Sequence, residues 1–162
     1  MPAKSNREGL PFLHPASLIS TCFGFGYLPY APGTWGSLLA LPLGWLLLSQ
    51  WSSYILLIVA FILFLTGMIA SDIHQKTNKD KDPNYIVIDE LVGQLLVLSI
   101  VPLDWIYFFT AFILFRIFDI YKPWPISWAD KRISNGFGIM FDDILAGGYA
   151  AAILYSIVVL MK

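Results

Sequence analysis

The chain has 162 residues, of which 57% are hydrophobic and 13% charged, with a formal net charge of −1. Soluble domains carry about 25% charged residues; with a mean hydropathy of +0.69, this composition points away from an ordinary soluble domain and toward a bilayer, and no nucleic-acid partner is expected. The single cysteine, Cys22, excludes an intramolecular disulfide and offers no cysteine metal site.

Residues 1–14 form a polar leader without the apolar core of a cleavable signal peptide. Leu18 to Tyr27 is apolar but too short to span, so it reads as an interfacial helix leading into Gly24, Gly26 and a turn from Pro29 to Gly33. From Ser37 to Ser71 no Asp, Glu, Lys, Arg or His occurs in 35 positions, the length of two membrane helices joined by a tight turn at Gln50, Trp51, Ser52 and Ser53. Pro42 and Gly44 predict a kink in the first of them. A polar island over 72–90 follows. Leu91 to Val101 and Trp105 to Phe115 form a second apolar pair around Pro102, Leu103 and Asp104. The first of these supplies only 11 residues, so it either extends through Asp89 or is re-entrant. A second island over 119–143 precedes the last span, Ile144 to Met161.

Backbone left unpaired in lipid is so costly that such spans are helical. The expected fold is therefore one domain over 1–162, an all-α polytopic membrane bundle with about four to five apolar spans and an interfacial N-terminal helix. Lys4, Arg7, Lys76, Lys79, Lys81, Arg116, Lys122, Lys131 and Arg132 then fall on one face and Lys162 on the other, which makes the face bearing both islands cytoplasmic. Trp35, Trp51, Tyr54, Trp105, Tyr107, Trp124 and Trp128 lie at span ends, as an interfacial aromatic belt requires.

Most of the chain's 11 acids sit in the two islands. Asp89 and Glu90 open a helix, where capping explains them equally well. Arg116, Asp119 and Lys122 share a helix face by their spacing; snorkelling accounts for the two cations, but an acid at the end of a membrane helix faces a bundle interior or an aqueous cavity. The doublet Asp142 and Asp143 at the start of the last span exceeds what capping needs, and adjacent carboxylates of this kind suit Mg2+. Gly147, Gly148, Ala151 and Ala152 let a neighbouring helix approach. Ser134 to Gly138 reads as a flexible loop over a head group or a simple turn. Carboxylates with Lys and Arg nearby describe a site for Mg2+ and a phosphate ester. Other phosphatase chemistries fit poorly. Leu28 stands where a cysteine phosphatase needs its arginine; His14 lies in the leader; His74 sits beside Asp72 without a recognisable pattern; Asp80 and Asp82 are in a Lys-rich loop.

Four blocks, Gly24 to Ser37, Ile86 to Gly93, Phe115 to Ile126 and Gly136 to Gly147, together resemble the phosphatidylglycerophosphatase A family. The resemblance implies a Mg2+-dependent, multi-pass enzyme of the bacterial inner membrane that removes the terminal phosphate of phosphatidylglycerophosphate on the cytoplasmic side, leaving phosphatidylglycerol in phospholipid biosynthesis. It places metal-binding and catalytic carboxylates at Asp89, Glu90, Asp119, Asp142 and Asp143, with Asp82 a weaker candidate. Thr34, Arg116, Lys122 and Asp130 are the expected substrate contacts. Asp72 and His74 fall outside this set. Two rivals differ from it. A CDP-alcohol phosphotransferase would need an Asp-x-x-Asp-Gly-x-x-Ala-Arg motif, absent here. A cation channel or transporter would place its acids near the membrane midplane.

Overall fold

A computed structural model describes residues 10–77 and 83–160. The expectations placed on Lys4, Arg7, Lys79, Asp80, Lys81, Asp82 and Lys162, and on the leader up to residue 9, lie outside the described residues. Those residues form α1 (Pro15–Ser20), a 3-10 turn (Phe25–Tyr27), α2 (Pro32–Gln50), α3 (Ser53–Thr77), α4 (Ile88–Leu98), α5 (Trp105–Tyr121), α6 (Ile126–Arg132) and α7 (Gly136–Leu160), with no strand among them.

Local chemistry sets most of the boundaries. Pro32 opens α2, where its missing N–H is no loss, directly after left-handed Ala31. Asp104 caps α5 by accepting a 2.8 Å hydrogen bond from the Ile106 amide. His14, expected as a solvated leader residue, caps α1 through Nδ1, which accepts from the Ala16 amide at 3.2 Å. The expected interfacial helix over Leu18 to Tyr27 is broken, because Cys22, Phe23 and Gly24 all take positive φ. Ser134 to Gly138 is not an open loop: Asp72 Oδ1 accepts from the Gly136 amide at 2.6 Å and Asn135 Oδ1 from the Gly138 amide at 3.0 Å, so α7 starts there. Asp142 and Asp143 therefore lie inside α7 rather than at its first residue.

Two helices, Ser53–Thr77 and Gly136–Leu160, are long and apolar enough to cross a membrane. α4 is not, since its 11 residues rise about 16 Å against a hydrocarbon core of about 30 Å. It is instead the central helix. Ile88, Leu91, Val92, Leu95, Val97 and Leu98 are all buried, as is Gln94, and α2, α3, α5 and α7 pack on it. The outer faces of the surrounding helices are apolar as well: Ile58, Phe61, Ile62 and Ile69 on α3 and Ile106, Phe109 and Ile120 on α5 are exposed. A water-facing surface rarely carries so continuous an apolar face.

Small residues let α4 and α7 meet closely. A Cβ on Gly147 would lie 2.8 Å from the Gly93 carbonyl oxygen, whereas one on Gly148 would meet open space. Gly147→Ala is expected to cost about 1–3 kcal/mol through overpacking, and Gly148→Ala to be neutral or to stabilise by up to about 1 kcal/mol through helix propensity. Thermal unfolding of the two variants in one detergent checks the contrast.

Candidate active site

Six helices meet at one cavity of about 510 Å3, lined by Asp89 and Glu90 from α4, Arg116 and Asp119 from α5, Lys122, Asp130 and Lys131 from the segment leading into α6 and from α6 itself, Asp142 and Asp143 from α7, Gln75 from α3, and Ala31 to Gly33 where α2 begins. Asp89 and Glu90 occupy the first turn of α4, where the helix dipole favours negative charge.

The acids divide into two groups. Asp119 and Asp142 are each held by a cation: Arg116 Nη1 lies 2.5 Å from Asp119 Oδ2, and Lys122 Nζ donates at 2.6 Å both to Asp142 Oδ2 and to Asp130 Oδ1. Asp89, Glu90 and Asp143 form the other group, each offering a carboxylate oxygen within 4.8 Å of the others. Arg116 Nη1 approaches Glu90 only to 3.9 Å, and among the described residues neither Asp89 nor Asp143 has an ion-pair partner. Asp89 Oδ1 and Glu90 Oε2 are buried without a hydrogen bond. Clustered oxygen donors with unsatisfied lone pairs suit a hard divalent cation.

Electrostatics tell the same story. Burial, followed by the neighbouring charges of Glu90, Asp143 and Asp142, raises the Asp89 carboxyl well above the usual carboxylate range. Burial pushes Glu90 up to about 7, the hydrogen bond with Asp89 and the charge of Arg116 pulling down while Asp119 pushes up. Burial alone would lower Lys122, but the Asp142 charge and the hydrogen bonds to Asp130 and Asp142 outweigh it and its pKa is raised, so it stays charged.

Of the residues singled out in the sequence, Asp89, Glu90, Arg116, Asp119, Lys122, Asp130, Asp142 and Asp143 converge on this cavity. Thr34 does not line it; it is half-buried in the first turn of α2, its amide donating to Ala31 O at 2.9 Å. The hydroxyl that reaches the cluster belongs to Ser37, one turn on, which is fully buried, donates to Gly33 O at 3.0 Å and accepts from Arg116 Nη1 at 3.4 Å. Lys122 also departs from expectation. It does not continue the Arg116–Asp119 face but takes left-handed φ 43° and ψ 59° as the cap of α5, which turns its ammonium toward α6 and α7. Gly33 and Lys131 as cavity residues, and Ser37 as a partner of Arg116, were not anticipated from the sequence; the spacing of Gly33 and Ser37 on a helix opened by Pro32 was the available signal. Asp72 and His74 lie elsewhere, Asp72 capping α7 and His74 Nε2 3.3 Å from Ser17 Oγ between α3 and α1.

Fold and cavity together define an all-helical protein whose apolar helices end in a carboxylate-rich pocket with basic groups beside it. The family model for phosphatidylglycerophosphatase A matches residues 18–158, and the chain belongs to that family of phosphatases. It is 44% identical over 152 residues to the phosphatidylglycerophosphatase A of Haemophilus influenzae, covering 91% of each chain. It is 40% identical over 157 residues to that of Escherichia coli K12, covering 93% of this chain and 88% of the relative. No solved structure matches the chain.

Proposed function

We propose that this chain hydrolyses the terminal phosphate monoester of phosphatidylglycerophosphate to give phosphatidylglycerol and inorganic phosphate, with Mg2+ as cofactor, in bacterial phospholipid biosynthesis. The observation that carries the reading is the trio Asp89, Glu90 and Asp143, three acids with carboxylate oxygens within 4.8 Å of one another that line a polar cavity. The relatives' names supply the substrate.

Asp89, Glu90 and Asp143 would hold the cation. Mg2+ bound there supplies neutralisation of phosphoryl charge and a lowered pKa for a bound water. Arg116 and Lys122 offer donors to the phosphate oxygens; both are anchored by acids, Arg116 by Asp119 and Lys122 by Asp130 and Asp142, so their positions are set before substrate arrives. A carboxylate not taken up by the cation serves as general base. Acyl chains remain in the leaflet while the head group enters from the aqueous side. In this reading α2, α3, α5 and α7 cross the inner membrane and α4 is the buried, half-length fifth segment. Lys76, Arg116, Lys122, Lys131 and Arg132 then gather at the cavity end, which the positive-inside rule makes cytoplasmic. The same placement argues against a transporter, whose acids belong near the midplane.

Phosphate release from phosphatidylglycerophosphate by the purified protein, with Mg2+ and with chelator, tests the proposal. Release only with Mg2+ is expected. Ion flux in vesicles without release would favour the transporter. Acidity adds a second expectation. Because Glu90 binds a cation only when ionised and its pKa lies at about 7, Mg2+ affinity should fall at least about tenfold per pH unit below that value. Tryptophan fluorescence titrations with Mg2+ between pH 8 and 6 measure this, and an affinity flat across the range would remove Glu90 from the ligand set.

A further inference from the structure

Three cations line the cavity, and two are already engaged: Arg116 with Asp119, and Lys122 with Asp130 and Asp142. The third, Lys131, is exposed and makes no ion pair or hydrogen bond among the described residues. Its backbone is nevertheless held in place. Asp130, its neighbour on α6, is tied by Lys122 to Asp142 on α7, and Ile126 and Ala129 of the same short helix are fully buried. Trp124 and Trp128, which flank and belong to α6, are 76% and 49% exposed, the disposition of side chains that settle at the head-group level of a bilayer. Lys131 is thus an exposed cation of the acidic cavity, carried on a short helix whose exposed tryptophans suit the head-group level.

We propose that Lys131 is a second anion site that takes the phosphodiester of the lipid while the terminal monoester lies among Asp89, Glu90 and Asp143. The inference rests on the function proposed above and names the part of the substrate that this residue reads. Phosphatidylglycerophosphate carries two anionic groups joined by a glycerol; Asp119, Asp130 and Asp142 outnumber Arg116 and Lys122, the two cations paired with them, so a further cation is needed to favour the diester. Engaged Arg116 and Lys122 serve the inner phosphate; unpaired Lys131 serves the outer one. A lipid whose single phosphate is a monoester placed directly on diacylglycerol, phosphatidic acid, has nothing for Lys131 to hold. Lys131 is thus a specificity residue for monoesters displayed beyond a diester.

The test compares Lys131→Gln, Lys131→Arg and Arg132→Gln with the wild-type protein on phosphatidylglycerophosphate and on phosphatidic acid in the same mixed micelles. Arg132 is the neighbouring exposed cation that does not line the cavity, so it reports general attraction to an anionic surface. Lys131→Gln is expected to raise KM for phosphatidylglycerophosphate about tenfold, the scale of one charge-assisted hydrogen bond, with kcat within about twofold. Phosphatidic acid turnover should not change, Lys131→Arg should recover most of the loss, and Arg132→Gln should match wild type on both lipids. An equal loss on the two lipids would place Lys131 at the monoester or in folding and overturn the proposal, as would an equal effect of Lys131→Gln and Arg132→Gln, or no effect at all. Wild-type protein that releases phosphate from neither lipid would overturn the underlying function as well, which separates the two failures.

Discussion

Asp89→Asn should abolish Mg2+-dependent phosphate release, by about 10^3-fold or more, while making the metal-free protein harder to unfold. The loss follows from removing one of the three acids placed within 4.8 Å, an electrostatic element whose removal at a preorganised site costs about 10^2–10^3-fold even for a neutral donor. The gain follows from linkage. Burial and the charges of Glu90, Asp143 and Asp142 raise the folded-state pKa of Asp89 far above its unfolded value. A carboxyl shifted in that direction takes up a proton on folding, so it destabilises the native state increasingly as pH rises above about 4. Asn mimics the neutral acid without that cost, and a stabilisation of about 1–3 kcal/mol at neutral pH is expected. Thermal unfolding with chelator and with Mg2+ reads both halves. The variant should melt higher than wild type in chelator and lose most of the upward shift that the bound cation confers. A variant that melts lower in chelator, with phosphate release retained, would mean that Asp89 is a structural cap and not a metal-site acid.

Gly33→Ala should leave the fold intact and still reduce phosphate release about 10^2-fold. A Cβ at position 33 would overlap the Glu90 carboxylate and come within 3.2 Å of Arg116 Nη1. The group in the way is the end of a flexible side chain, so the helix need not move; Glu90 moves instead. Ala also suits the first turn of α2 better than Gly, and the unfolding temperature should stay within a few degrees of wild type. What changes is the distance from Glu90 to Asp89 and Asp143, and misplacement of a catalytic group by about 1 Å costs on the order of 10^2-fold. Mg2+ affinity and kcat should fall together, circular dichroism remaining native. Full activity in Gly33→Ala would show that the Glu90 position is not critical. Loss of helicity would show instead that the close approach of α2 to α4 supports the fold.

These two residues mark different kinds of legibility. Asp89 stands out in the sequence because an acid doublet interrupts an apolar run, and its neighbours in the four family blocks point to the same chemistry. Gly33 offers only its place in one of those blocks and its helical spacing to Ser37, and nothing local says that α2 begins against the first turn of α4. The contrast recurs elsewhere. The turn at Trp51 and Ser52 and the break around Pro102 to Asp104 appear where the residues predict them, between α2 and α3 and between α4 and α5, because turn and cap chemistry acts over a few residues. The helix α6, the left-handed Lys122 and the start of α7 at Gly136 were not anticipated, because each depends on a partner far along the chain: Asp142 for Lys122, Asp72 for Gly136.

By itself the sequence determined the helical class, the concentration of acids where apolar runs end, and the family to which the chain belongs; contiguous apolar length and short motifs carry that information without reference to distant residues. Tertiary structure alone decided that α4 is a buried half-length helix, that Asp119 and Asp142 have their own cations while Asp89, Glu90 and Asp143 do not, and that Ser37 rather than Thr34 reaches Arg116. The physical reason is that a charge or a hydroxyl acquires its role from the groups within a few ångströms, and those groups come from helices as far apart in the chain as residues 37 and 116.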